Sequence, residues 1–547
     1  MYETSVNSLL LLGVLWPLML VPLLSLKKIR PITLSLAAWA GIPALFAALL
    51  VSPSIAHWNF PWLLLGMKIG LDATGTLFLL GSALLWSVAG IYTKAYFSKE
   101  DRQISFYSFF LLAMAGNFGL VISQDIFSFY LFFTLMSFAS YGLVVFNKDK
   151  EAFDAGLVYI ILVVIGEVML FVAFLLLAQT SDVTSFESVR TGFINNPNKN
   201  LVILLLFTAF GIKAGIIGLH VWLPLAHPVA PTPASAVLSG AMINAGLLGW
   251  LRFLPLGEII SLYWAAGIIL LGLLAQFYGV IIGLTQRNPK TLLAYSSISQ
   301  MGIMTMLIGF GFYLPEHWKS ILAGITFFAL HHGLSKGALF LGVGMLGSTN
   351  KLQRYAIWLG LCIPALALAA VPYSSGMTAK FLLKSYTAYF AAPWSSILSV
   401  LLVIGTVNTT LLMIRLLYLV RPAAAPFGVS TSFSLLWPWI LLLAGILSLP
   451  FSLDFSLKIM RELNALPFLY PLFLSIFITV FIRKIKKLQN IKPVPAGDIV
   501  LYYEKVLLFL IRNGKKFNFI LLYYTRFLSF LTAKITKFSD KIAAWIK

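Results

Sequence analysis

A single cysteine, Cys362, stands in a chain of 547 residues. One thiol excludes an intrachain disulfide and any cysteine-ligated cluster built by this chain alone. Cys362 lies in an apolar run and reads as buried packing. Charge is scarce as well: Lys, Arg, Asp and Glu make up 10% of the residues, with 18 acidic side chains and 6 histidines. The histidines are scattered with no carboxylate cluster beside them, so no metal centre is expected. No credible strand is read anywhere, so no Gly-rich phosphate loop follows one, and no nucleotide, flavin or haem motif is present. The expectation is no cofactor and no catalytic chemistry on this chain. If it serves a redox machine, the redox centres sit on other chains.

What the chain has is apolar length. It is 60% hydrophobic, with a mean hydropathy of +0.93. Runs of ~20 apolar residues, each enough to cross a bilayer as a helix, recur to about residue 482. The ~10-residue alternation of a β-barrel is missing. The expected fold class is an all-α polytopic membrane protein of about 14–15 transmembrane helices. Spans are read near 7–26, 32–52, 72–97, 106–122, 125–146, 155–178, 200–227, 231–254, 261–284, 290–311, 318–346, 356–380, 394–419, 434–450 and 466–482. The first run ends in Leu26-Lys27-Lys28-Ile29-Arg30 without a small-residue cleavage site, which reads as a retained helix with a basic stop.

The net charge is +21, and residues 483–547 carry 14 Lys+Arg against 3 Asp+Glu, a net +11. That concentration fits a membrane-surface or partner-binding tail rather than a nucleic-acid surface. Numbered in order, the loops holding Lys27, Lys94, Arg102, Lys148, Arg287, Lys290, Lys351, Arg421 and the tail fall on one side. The positive-inside rule makes that side cytoplasmic and puts the N-terminus outside. A bacterial cytoplasmic (inner) membrane is the expected location. Lys384, Lys458 and Arg461 fall on the other side. Beyond Pro493, Pro495 and Gly497, the tail mixes Leu, Phe and Tyr with Lys and Arg at helical spacing, as in Tyr502, Lys505, Leu508 and Phe509. It reads as basic amphipathic helix on the cytoplasmic face, with partial insertion of 517–531 as the alternative.

Two spans look interrupted. The seventh carries Gly211, Gly215 and Gly218, then Pro224, Pro228, Pro231 and Pro233; the twelfth carries Pro372 and Gly376 in "VPYSSGMTAKFLLK", 371–384. Each has a lysine, Lys213 or Lys380. Their separation by five spans suggests two five-helix repeats within 101–255 and 256–420, with 1–100 and 421–490 as flanking helices and 491–547 as the tail. Kinking by proline alone is the plainer reading, and the two lysines argue against it.

Ionisable groups inside spans are functional candidates by default. Besides Lys213 and Lys380 they are His220 and His227 after the first break, Glu167 in "VVIGEVMLFVAF", and His331, His332 and Lys336 in "FFALHHGLSKGALFLGVG". His332 and Lys336 are spaced i, i+4 and share a helix face, with His331 turned about 100° away. Burial disfavours the charged form of lysine and glutamate alike, which brings both toward proton exchange at neutral pH. Lys, His, Glu and water at bilayer depth suit a proton path; fixed ion pairs or snorkelling ends are the alternative. Asp125, at the start of a span, reads as a helix cap.

These stretches resemble the proton-conducting antiporter family: the large membrane subunits of respiratory complex I, Mrp-type Na+/H+ antiporter subunits and membrane subunits of energy-converting hydrogenases. The resemblance rests on "GIKAGIIGLHVWLPLAHPVAPTPASAVLSG" (211–240), "TQRNPKTLLAYSSISQMG" (285–302), "HHGLSKGALFLG" (331–342) and "DIFSFYLFFTLMSFASYGLV" (125–144), and covers roughly 70–430. It implies two inverted five-helix repeats with broken helices at their centres. Lys213 would be the central proton-carrying lysine of the first half-channel, His332 and Lys336 the connecting residues, and Lys380 the charged residue of the second broken helix. Two positions depart from the pattern. Thr134 stands where the family usually has a glutamate paired with the central lysine, and Asn244 where it usually has a lysine. Glu167, one span later, is a substitute for the missing acid.

The resemblance implies a proton or Na+/H+ translocating subunit of a larger complex, whose partners are other membrane or peripheral subunits, the lipid bilayer and protons or Na+, with no nucleic acid. Two alternatives stay open. One is a cation-flux subunit paired with a large soluble protein for inorganic-carbon uptake. The other is a scaffold subunit that does not conduct.

Overall fold

The computed structural model describes residues 2–53, 57–63, 66–97, 99–180, 185–346, 351–422, 432–452, 458–459, 466–484 and 492–499. Helices follow the apolar runs: α1 (Tyr2–Leu23), α2 (Arg30–Ala38), α3 (Ile42–Leu50), α4 (Ala73–Tyr96), α5 (Glu100–Ile122), α6 (Ile126–Val144) and α7 (Lys150–Ala178) come first. A short α8 (Phe186–Asn195) leads to α9 (Lys199–Ala214) and α10 (Trp222–Val229). Next are α11 (Thr232–Val237), a π turn (Leu238–Met242) and α12 (Ile243–Phe253), which run on as one span. The remainder is α13 (Leu262–Thr285), α14 (Pro289–Tyr313), α15 (Trp318–Gly344), α16 (Lys351–Leu368), α17 (Ser375–Tyr386), α18 (Trp394–Leu419), α19 (Phe433–Ser448) and α20 (Leu469–Lys484). Ten spans among the described residues are long and apolar enough to cross a membrane. The chain is an all-α polytopic integral membrane protein.

The expectation of no strand needs correction. β1 (His57–Phe60) and β2 (Met67–Gly70) pair antiparallel between α3 and α4. Four-residue strands around Pro61 are too short to show alternation in sequence. Tertiary contacts hold the hairpin: Ile69 bridges to Ser123, and the Lys68 amide donates to Asp125 Oδ2 at 2.8 Å. Asp125 also caps α6 by accepting from the Ser128 amide at 2.8 Å, the role read for it from sequence. The span at 32–52 is two helices, because the chain turns at Trp39–Gly41 and Pro43 starts the second. The amphipathic helices expected in 500–547 lie outside the described residues.

The interior is organised around α12, α14 and α15. The spans Thr232–Phe253 and Pro289–Tyr313 are buried throughout their apolar windows, while α13, at 39%, turns much of its surface outward. Close backbone approach explains how α13 lies along α14. A Cβ on Gly272 would meet the Gly302 carbonyl oxygen at 2.6 Å, so only glycine lets these helices touch.

Candidate functional site

The first polar centre forms where α9 stops. Gly215 adopts φ 74°, a left-handed conformation that glycine takes without strain, and its N–H caps the helix on the Gly211 and Ile212 carbonyls. Trp222 reaches back from α10 and donates Nε1–H to the Ile212 carbonyl at 2.8 Å. Lys213 sits in the last turn of α9 and is 3% exposed. Its Nζ donates to Tyr159 Oη at 2.9 Å and stands 5.3 Å from the Tyr159 ring centre and 6.0 Å from that of Trp222. Two aromatic faces and a hydroxyl therefore surround the ammonium.

Glu167 follows Tyr159 on the same helix, α7, and is also buried. Thr134, on α6, donates its hydroxyl to Glu167 Oε2 at 2.7 Å. The carboxylate thus lies within hydrogen-bond reach of position 134, and it interacts electrostatically with Lys213.

The second centre lies on α15 and α17. Lys336, fully buried, donates to the Leu293 carbonyl of α14 at 3.0 Å. His332 is one turn away, with neither ring nitrogen bonded to a described residue. His331 turns to α17, where Nδ1 lies 2.8 Å from Ser375 Oγ. Lys380 lies in the middle of α17, after the break at 369–374 rather than within it. It donates to the Leu368 carbonyl at 3.0 Å, one of the acceptors that the end of α16 leaves free. Lys380 also borders a cavity of about 210 Å³, shared with Lys384, Thr406 and Tyr470. None of the three lysines forms an ion pair with a described residue.

Polar groups lie between the centres. Ser239, in the π turn, and Ser297 of α14 share a 2.8 Å hydrogen bond. Asn244 donates Nδ2–H to the Gly240 carbonyl at 3.1 Å and the Ala329 carbonyl at 3.3 Å. It also lines a cavity of about 20 Å³ with Asn117 and Ser82, room for about one water. His227 stacks on Phe340 with ring centres 4.6 Å apart, and neither of its ring nitrogens has a hydrogen-bond partner among the described residues. His220 Nε2 lies 3.3 Å from Tyr278 Oη, on a separate branch. Sequence reasoning missed Tyr159, Ser297, Ser375 and Tyr278, because neutral hydroxyls carry no signal in an apolar run. Among the described residues, no group of three His, Cys, Asp or Glu side chains is placed to hold a metal ion.

Comparison with known proteins places these features. "Hydrogenase-4 component B" of Escherichia coli K12 is 30% identical over 348 residues, 60% of this chain and 52% of that protein. "Putative antiporter subunit mnhA2" of Staphylococcus saprophyticus is 28% identical over 414 residues, 68% of this chain and 50% of that protein. The chain thus spans about half the length of the curated relatives it matches. The fold matches a chain of the Mrp complex from Dietzia sp. DQ12-45-1b with a TM-score of 0.74 at 17% identity, covering 97% of this chain and 63% of that one. It matches a chain of the membrane-bound sulfane sulfur reductase, an archaeal respiratory membrane complex, with a TM-score of 0.72 at 19% identity, covering 97% and 95%. Residues 123–411, more than half of the chain and including every candidate residue from Thr134 to Lys380, match the model of the transmembrane family described as "NADH:quinone oxidoreductase/Mrp antiporter, TM". The chain belongs to the NADH:quinone oxidoreductase/Mrp antiporter transmembrane family.

Proposed function

We propose that this chain is the ion-translocating subunit of a multi-subunit Mrp-like, complex I-like or hydrogenase-like assembly. Protons move along two linked centres, Glu167–Lys213 and His332–Lys336–Lys380, with His331 and His227 alongside and serines and water between. The observation that carries this reading is that three lysines are buried within the helix bundle and, among the described residues, donate to neutral partners. An unpaired buried ammonium is expensive, so such a group is maintained for work rather than for stability. No ion pair with a described residue pins its proton.

Glu167 supplies the acid that Thr134 lacks. The 2.7 Å bond joining them supports an acid that has moved from α6 to α7 with its site retained. Asn244, in place of a lysine, makes the passage between centres depend on water and hydroxyls. The breaks fall in the fourth span of α5–α12 and in the fourth span of α13–α18, which supports the reading of two repeats within 101–255 and 256–420.

We place the N-terminus outside and the basic tail on the cytoplasmic face of an inner membrane. Impermeant-maleimide labelling of single cysteines introduced on a Cys362→Ser background tests this. Labelling near Lys148 from outside the cell sinks it.

Affinity purification of the tagged chain in mild detergent tests the assembly. Antiporter-like or iron–sulfur partners support it, whereas a single large soluble partner favours the inorganic-carbon reading. Full ion flux with Lys213→Ala, Lys336→Ala and Lys380→Ala in an intact assembly leaves only the scaffold.

A further inference from the structure

The described segment 492–499 lies against the C-terminal end of α13 and the first turns of α14, far beyond the family-matched region. Gln286 donates Nε2–H to the Val494 carbonyl at 2.9 Å, and the Val494 amide donates to Thr285 Oγ1 at 3.2 Å. Gly497, at φ 69°, turns the chain over Leu225, and a Cβ there would meet Leu225 Cδ1 at 2.9 Å. Ile499 packs on the core. These contacts seat the strap without help from its acid.

The turn delivers Asp498 to two tyrosines. Tyr278 Oη donates to the carboxylate, 2.7 Å from each oxygen, and Tyr295 Oη donates to Oδ1 at 3.2 Å. The same Tyr278 oxygen lies 3.3 Å from His220 Nε2. Exposure falls along this row: Asp498 and Tyr278 are half-buried, and His220 is fully buried. His220 itself lies in the segment that joins the two halves of the broken helix carrying Lys213. A half-buried carboxylate, a half-buried hydroxyl and a buried imidazole form a hydrogen-bonded row from the strap to that break.

We propose that Asp498 is the proton-exchange carboxylate at the outer end of a branch, Asp498–Tyr278–His220, that feeds or drains the translocation path; this rests on the function proposed above. In one direction, with Asp498 protonated and donating to Tyr278 Oη and His220 in its Nδ1–H tautomer, the Tyr278 hydroxyl turns to His220; Asp498 gives its proton to Tyr278 Oη while the original Tyr278 proton passes to His220 Nε2. The products are a carboxylate, an unchanged phenol and an imidazolium. The reverse shift returns the proton, and no oxidant or reductant takes part.

The test uses membrane vesicles holding the assembled complex, with proton flux read by a pH-sensitive dye. Asp498→Asn keeps an oxygen to accept from Tyr278 and Tyr295 but carries no exchangeable carboxyl proton. It should lower flux at least fivefold. Asp498→Glu should restore at least half, and Tyr278→Phe should reproduce the loss. Strap seating is read separately by disulfide cross-linking of Val494→Cys to Thr285→Cys on a Cys362→Ser background, which should form with and without Asp498→Asn. Wild-type flux in Asp498→Asn overturns the proposal, as does loss of both flux and cross-link in Asp498→Asn with normal flux in Tyr278→Phe. Lys213→Ala in the same vesicles separates the two ideas. If it blocks flux while Asp498→Asn does not, only this inference fails; if it leaves flux normal, the underlying function fails.

Discussion

The Thr134–Glu167 contact makes the sharpest quantitative prediction. Thr134→Val keeps the side-chain shape and removes the hydroxyl that donates to Glu167 Oε2 at 2.7 Å. A hydrogen bond to a charged group contributes about 1.5–3 kcal/mol. Among the described residues, Glu167 Oε1 accepts no hydrogen bond of ordinary geometry that would make up the loss. If transport requires the carboxylate as the counter-charge of Lys213, the barrier rises by that amount. At about 1.4 kcal/mol per tenfold, flux at fixed pH falls roughly 10- to 150-fold. Glu167→Gln removes the charge and should cost at least as much. Once Glu167 is glutamine, Thr134→Val should add almost nothing, because both substitutions act on one interaction. The assay is ion-driven proton uptake in inverted vesicles, normalised to assembled complex recovered through a tag. Full flux in Glu167→Gln refutes the reasoning, and so do two independent losses that multiply in the double variant.

Two further outcomes follow from the same geometry. Lys336→Ala should stop flux in a complex that still assembles, and Lys336→Arg should not restore it, because a guanidinium does not release its proton; vesicle flux measured beside recovery of the complex checks both. At the rim, burial pushes the Asp72 carboxyl up, but the Arg252 charge and hydrogen bonds, with the Gly75 amide, outweigh it and hold Asp72 below the usual carboxylate range. A depressed folded value means that the pair's stabilisation is complete above the ordinary carboxylate range and is lost as pH falls through it. Thermal stability in detergent should therefore drop on acidification below about pH 4, and Asp72→Asn should flatten that slope; an unchanged slope in the variant contradicts the assignment.

Much of this architecture was legible because the bilayer permits few solutions. Apolar runs of sufficient length must be helices, and a run holding Gly215, Gly218 and Pro224 must open somewhere. The buried lysines were legible for the same reason, being costly exceptions in an apolar background. Three kinds of feature were not. The β1–β2 hairpin owes its form to Ser123 and Asp125, which are distant in sequence. The amphipathic α8, "FESVRTGFIN", is too short to stand out beside spans twice its length. The partners of the candidate residues depend on tertiary placement: Thr134 and Glu167 are 33 positions apart, and Tyr278 and Asp498 are 220 apart. Missing an acid at position 134 in one dimension is compatible with finding it beside that position in three.

The most direct measurement is proton uptake by inverted vesicles containing the assembled complex with Lys213→Ala, compared with the unsubstituted chain at equal complex content. Lys213 contacts one hydroxyl and two aromatic faces, and alanine is an excellent helix former, so assembly should survive. The account predicts that uptake falls by at least tenfold while the partners still co-purify. Uptake at the unsubstituted rate would show that the buried lysine at the end of α9 carries no proton and would contradict the account.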